Sequence, residues 1–167
     1  VVLFMRRLIY FLVWLTLLAS NAYSQKRDNV WMLGTQLSGN NVGLEFFNSD
    51  INIMSSFHAL TFFITDASIC DTAGNLLFYT NGTYIANKNH DTLYNSKDFN
   101  LGYLTDVYYE GIGLGMPQGA IVLPVPQSST NYIVVYMSGE EIESPSGSDY
   151  VTGLELRYSE IDMALDG

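Results

Sequence analysis

Asn87, Asn89 and Asp91 carry oxygen-bearing side chains two residues apart, the spacing at which the first ligands of a calcium loop converge on one cation. Asp98 stands where such a loop has its bidentate acid, and Thr92 fills the position that normally demands glycine. Calcium is therefore the one cofactor these residues suggest, and a plain polar turn is the competing account. His58, His90 and the single cysteine, Cys70, fall in no zinc spacing and no Cys–His arrangement, and Cys70 reads as a buried, inert thiol. No serine sits in Gly-x-Ser-x-Gly. Gly111-Ile112-Gly113-Leu114-Gly115 lacks the Lys-Ser/Thr and the helix that a phosphate cradle needs, so it reads as a flexible approach to the next strand. Asp66, Asp71, Asp106 and Glu110 are the carboxylates from which a glycosidase pair would be drawn; solvated loop charges account for them equally well. No catalytic set coheres, and the chain reads as a non-enzyme.

Charge removes another class of function. The chain has 17 acidic residues against 7 basic ones, a formal net charge of −10, and Arg6 and Arg7 both lie in the leader described next. A surface this acidic is repelled by phosphate backbones, so nucleic acid is excluded as a partner.

Residues 1–24 read as a secretory signal peptide. Arg6 and Arg7 follow Met5, an apolar run extends from Leu8 to Ala19, and Ala22 and Ser24 frame a cleavage site before Gln25. Val1 to Phe4 precede that methionine and read as an upstream artefact or a cut. The run is shorter than the ~20 apolar residues a spanning helix needs, so no stable membrane span is expected after cleavage. The expected location is periplasmic or extracellular. One cysteine cannot make an internal disulfide, so the exported domain, residues 25–167, must be held by its apolar core.

The elements that would position any site are strands. Val30–Gly34 and Gly43–Phe47 form a hairpin candidate about Ser38–Asn41, and Asn48–Phe57 reads as a loop. Ala67–Cys70 and Leu76–Thr80 flank the turn Asp71–Asn75, and Tyr84–Ala86 returns as a third strand. Asn87 to Gly115 reads as a long connection over the surface. Gly119–Leu123 and Tyr132–Tyr136 resume the pattern, a polar excursion passes Glu140-Glu141 and Ser144–Ser148, and Leu154–Ile161 alternates. That alternation is expected to bury Leu154, Leu156 and Tyr158, with Ile161 off phase through a bulge. Asn75 before Leu76–Tyr79 corresponds to Asn131 before Tyr132–Tyr136, a meander recurring after about 56 residues, as in a radial array of blades.

These blocks carry a resemblance. Asn29-Val30-Trp31, Gly43-Leu44 with Phe46, Ala67–Ile69 with Gly74-Asn75-Leu76-Leu77-Phe78-Tyr79-Thr80-Asn81-Gly82, Pro117–Ile121, and Leu156–Ser159 with Ile161–Met163 resemble the N-terminal β-propeller of secreted Bacteroidetes surface proteins, which usually precedes a type IX secretion sorting domain. The resemblance implies an all-β fold of antiparallel meander blades after a signal helix, export, and no catalytic residue. The chain has room for two blades and part of a third, so it reads as a truncated propeller whose remaining blades belong to a longer protein. Asn81-Gly82-Thr83 reads as a tight turn, and Thr72 and Thr92 match the short O-glycosylation pattern of that bacterial group. The expected function is a secreted, cell-surface binding module for glycan or protein partners, with exposed tyrosines as contacts; a carbohydrate-active hydrolase on the same scaffold is the alternative.

Overall fold

The computed structural model describes residues 7, 10, 25–34, 41–47, 50–54, 61–96, 99–107, 111–142 and 150–165. Of the expected leader, only Arg7 and Tyr10 are among them, and both are helical. The rest of the leader, with the cleavage site at Ser24, lies outside the described residues. Among the described residues, no helix is long and apolar enough to cross a membrane.

The described chain is mostly strand, arranged in three three-stranded antiparallel sheets and one two-stranded hairpin. The first sheet is β1 (Val30–Leu33), β2 (Val42–Phe47) and β3 (Asp50–Met54), in that order. β3 corrects the loop expected over Asn48–Phe57. Its apolar residues, Ile51 and Ile53, alternate as a strand should, but both point outward at 61% and 66% exposure, so they give no sign of a buried face. The second sheet is β4 (Ala67–Cys70), β5 (Leu76–Thr80) and β6 (Ile85–Asn87). The third is β7 (Ala120–Pro124), β8 (Asn131–Met137) and, after an inserted hairpin, β11 (Leu156–Asp162). That hairpin, β9 (Glu140–Ile142) with β10 (Tyr150–Thr152), stands where the sequence reads as a polar excursion. A one-turn helix, α1 (Tyr103–Val107), lies in the connection before β7.

β5 and β8 are the central strands of their sheets; β5 follows Asn75, and β8 begins at the matching Asn131. The strands form because their apolar residues can be buried on both sides or on alternate positions. In β8, Tyr132, Val134 and Tyr136 are buried while Ile133, Val135 and Met137 are half-buried. In β5, Phe78 and Tyr79 are both fully buried, because sheet two is covered on both faces. One face, with Ile69, Phe78 and Ile85, packs on Val122, Val134, Tyr132 and Ile161 of sheet three. The other, with Cys70, Tyr79 and Ala86, packs on Val30 and Met32 of sheet one.

The sheets meet along their first strands, β1 against β4 and β4 against β7. β4 and β7 run the same way. At their starts Thr65 donates its hydroxyl to Met116 O at 2.6 Å, and at their far ends Arg27 joins both: its carbonyl accepts the Cys70 amide at 2.8 Å, and its guanidinium donates to the Tyr132 hydroxyl at 3.1 Å. β1 runs the other way, since Val30 O accepts from the Ser68 hydroxyl at 2.8 Å while Arg27, upstream, meets Cys70. Sheets two and three are thus stacked in register, and sheet one caps them in reverse.

Two further expectations are corrected. β11 pairs with β8 without interruption from Leu156 to Asp162, and its buried member is Ile161, whereas Leu154, Leu156 and Tyr158 are 61%, 72% and 68% exposed. The alternation is real, but its inward phase is Arg157, Ser159 and Ile161; the register shift in the chain lies instead between Ile69 and Cys70. The connection from Asn87 to Gly115 does more than cross the surface. It inserts Leu93, Phe99 and Leu114 into the interior, with Phe99 stacked on Tyr136 at 4.3 Å. Gly113 packs on Asn81, and Leu114 trades backbone hydrogen bonds with Asn81 O and Thr65 N, so the glycine-rich run is pinned.

The turn at Asn81-Gly82 needs its glycine. Gly82 has φ +86°, and a Cβ there would sit 2.7 Å from that of Leu114. Gly82→Ala should therefore cost about 2 kcal/mol in a urea unfolding measurement, from backbone strain and overpacking together.

Candidate groove between the second and third sheets

Residues singled out for chemistry are dispersed. Asn87 ends β6, and its side-chain oxygen accepts the amides of Asn89 at 2.9 Å and Asp91 at 3.1 Å, so it organises its own turn. Asp98 lies outside the described residues. Among the described residues, no group of three or more His, Cys, Asp or Glu side chains could hold a metal ion. Thr72 in the β4–β5 turn and Thr92, which bridges Ala86, are both exposed. Cys70 is fully buried, and that burial, ahead of any other influence, pushes its thiol up to about 11. His90 Nδ1 meets the buried Tyr79 hydroxyl at 2.9 Å. His58 lies outside the described residues.

Among the described candidate carboxylates, Asp66 and Asp71 do not form a pair. Asp66 and Asp71 bracket β4, which puts them about 17 Å apart along an extended strand, whereas glycosidase pairs stand about 5–10 Å apart. Desolvation raises the Asp66 pKa, although the residue as a whole is exposed. Asp106 is exposed on α1, and Glu110 lies outside the described residues.

Asp71 has a structural occupation. Its carboxylate accepts the amides of Ala73 at 2.8 Å and Asn75 at 2.9 Å and the Asn75 side-chain amide at 2.8 Å. Desolvation is the largest single influence and pushes its pKa upward, but the hydrogen bonds from Asn75, Ala73 and Gly74 together prevail and hold it below the usual value. A carboxyl with a lowered folded pKa contributes stability above its unfolded pKa, and that contribution disappears as pH falls through the folded value. Asp71→Ala should cost about 1 kcal/mol at pH 7, and the gap from wild type should close as the pH is taken below about 4. Urea midpoints at several pH values check both statements.

A concave site does form beside the outer strands β6 and β11, a groove of about 480 Å³. Its floor is apolar: Ile85, Leu93, Phe99 and Ile161. Tyr94, 74% exposed, and Asn95 stand at its rim, which is reached from the edge strand by Glu160 and Asp162 of the outward phase of β11; Asp162 Oδ1 already accepts the Ala164 amide at 2.9 Å. Ser96 is locked by donating its hydroxyl to Ile85 O at 2.9 Å, which fixes the 93–96 wall to β6. Asn95 holds a left-handed φ of 62°, a conformation asparagine tolerates, and this turns the chain over the groove. An exposed ring beside amide and carboxylate groups over an apolar floor suits a ligand with both a hydrocarbon face and hydroxyls. The sequence reading missed these residues; Tyr94-Asn95 inside a polar connection was the available signal, but only the fold sets it opposite Glu160. No family model, curated protein or solved structure matches this chain.

Proposed function

We propose that this chain is a secreted, non-enzymatic surface module of propeller-blade type that binds neutral or amino-sugar glycans in the groove between its second and third sheets. The observation that carries the reading is the groove itself, in which exposed Tyr94 stands over an apolar floor with Asn95, Glu160 and Asp162 on the rim. The sugar's C–H face would stack on the tyrosine ring, and its hydroxyls would bond the amide and carboxylates. Those carboxylates and the net charge of −10 disfavour uronic acids. The blade assignment is supported by the parallel first strands β4 and β7 and by central strands that recur after Asn75 and Asn131. Export, and kinship with the secreted surface proteins the sequence resembles, belong to the same proposal.

Titration of the chain with neutral, amino-sugar and uronate oligosaccharides tests it. Neutral or amino-sugar chains should bind and uronates should not, and Tyr94→Ala should weaken binding about tenfold, the equivalent of ~1.4 kcal/mol. Absence of binding to every class, or equal binding by the variant, would refute the assignment.

A further inference from the structure

The groove beside β6 and β11 lies along a strand edge that still has backbone groups to offer. Four consecutive residues of β11, Ser159 to Asp162, line it. A groove over one face of a strand would meet only every second residue, so this one runs along the strand's side. Among the described residues, β11 pairs with β8 alone. The bonds that bracket the strand show which groups are left over. The Ser138 amide donates to Glu155 O and the Met163 amide to Thr130 O, each at 2.9 Å, and both pairs continue the β8–β11 register. Bonded pairs alternate in an antiparallel ladder, so Ser159 and Ile161 turn their amides and carbonyls to β8, and Glu160 between them turns both of its own away, to the groove side. β6 offers no such edge. The Leu93 amide donates to Ile85 O and the Asn87 amide to Asp91 O, each at 2.9 Å, so the chain itself closes that side.

We infer that the groove recognises the acetamido group of an N-acetylated amino sugar. The inference rests on the glycan reading above and narrows it to one kind of unit. An acetamido group is a secondary amide that ends in a methyl. Its carbonyl accepts from the Glu160 amide as a neighbouring strand's carbonyl would. Its N–H points the opposite way, as in any trans amide, toward the wall that carries Asn95. The methyl lies on the floor, where Ile85, Leu93 and Phe99 are 1%, 2% and 6% exposed. A hydroxyl at that place would set a polar group against apolar side chains, and an ammonium would lose still more hydration there. The acetamido group is also uncharged, so the Glu160 and Asp162 carboxylates do not repel it as they would an acid.

Tetramers of N-acetylglucosamine, glucosamine and glucose, alike in linkage, are titrated into the chain by calorimetry. The acetylated tetramer should bind about tenfold more tightly than either of the others, from one added hydrogen bond and one buried methyl. Equal or tighter binding of the glucose tetramer would overturn the inference and leave the glycan reading standing. A preference for glucosamine would show that rim charge decides, and would overturn it too. Binding of none of the three would overturn it as well, while the glycan reading falls only if the wider series of oligosaccharides is also silent. Glu160→Pro removes the outward amide at an edge position where proline spares the ladder, and Glu160→Ala removes the same carboxylate but keeps the amide. The preference for the acetylated tetramer should vanish in the proline variant and persist in the alanine variant, with urea midpoints reporting whether each is folded. A folded proline variant that keeps the preference would overturn the inference; if that variant does not fold, the ligand series alone decides.

Discussion

Replacing Asn81 by leucine should lower the unfolding free energy by about 4 kcal/mol, because each buried polar group stripped of its partner costs about 1–3 kcal/mol. Asn81 is fully buried at the end of β5. Its side-chain oxygen accepts the Thr83 amide at 3.0 Å, the Thr83 hydroxyl at 2.8 Å and the Tyr84 amide at 3.3 Å, and its amide donates to Thr61 O at 2.9 Å. Leucine fills the volume but removes all four of these hydrogen bonds. Domains of this size have only about 5–15 kcal/mol to lose, so the variant should be marginally folded at 25 °C. Asn81→Asp keeps the acceptor, loses the donor to Thr61 and buries a charge, and should also be strongly destabilised. If the leucine variant unfolds at the wild-type urea midpoint, the turn is not organised around this side chain.

Phe78→Ala should cost a similar amount, about 3–5 kcal/mol, from lost transfer energy and the cavity left behind. Phe78 is fully buried on the face of sheet two that meets sheet three, edge-on to Tyr132 with ring centroids 5.6 Å apart. Tyr132→Phe keeps that ring contact and removes only the hydroxyl that accepts from Arg27, so it should cost about 1 kcal/mol. A double-mutant cycle between Phe78 and Tyr132 should show coupling of about 0.5–1.5 kcal/mol for the aromatic pair. A Phe78→Ala variant as stable as wild type would mean that the two sheets do not share a core.

The β4–β5–β6 unit was legible because its signals are local: two apolar runs, a turn whose Asp71 satisfies its own amides, and a second turn at Asn81-Gly82. β8 was legible because Tyr132, Val134 and Tyr136 alternate. What failed was assigning a face. Leu154, Leu156 and Tyr158 look like an inward stripe, yet Leu156 and Tyr158 lie on the outer side of the third sheet, Leu154 precedes its strand, and all three are exposed. Ile51 and Ile53 hid β3 for the same reason. The groove was illegible because Tyr94 and Glu160, far apart in the chain, come to one groove only when Leu93 and Phe99 are buried between β6 and β11. Periodicity says that a strand has two sides; which side meets a neighbour is decided by how sheets stack.

The central claim is that sheet two is covered on both faces by its neighbours. Nuclear Overhauser contacts in the folded chain test it most directly. The account predicts cross-peaks between the rings of Phe78 and Tyr132, joining sheets two and three, and between Ser68 and Val30, joining sheets two and one. Strand-to-strand contacts within each meander, with none between Phe78 and Tyr132 or between Ser68 and Val30, would contradict it.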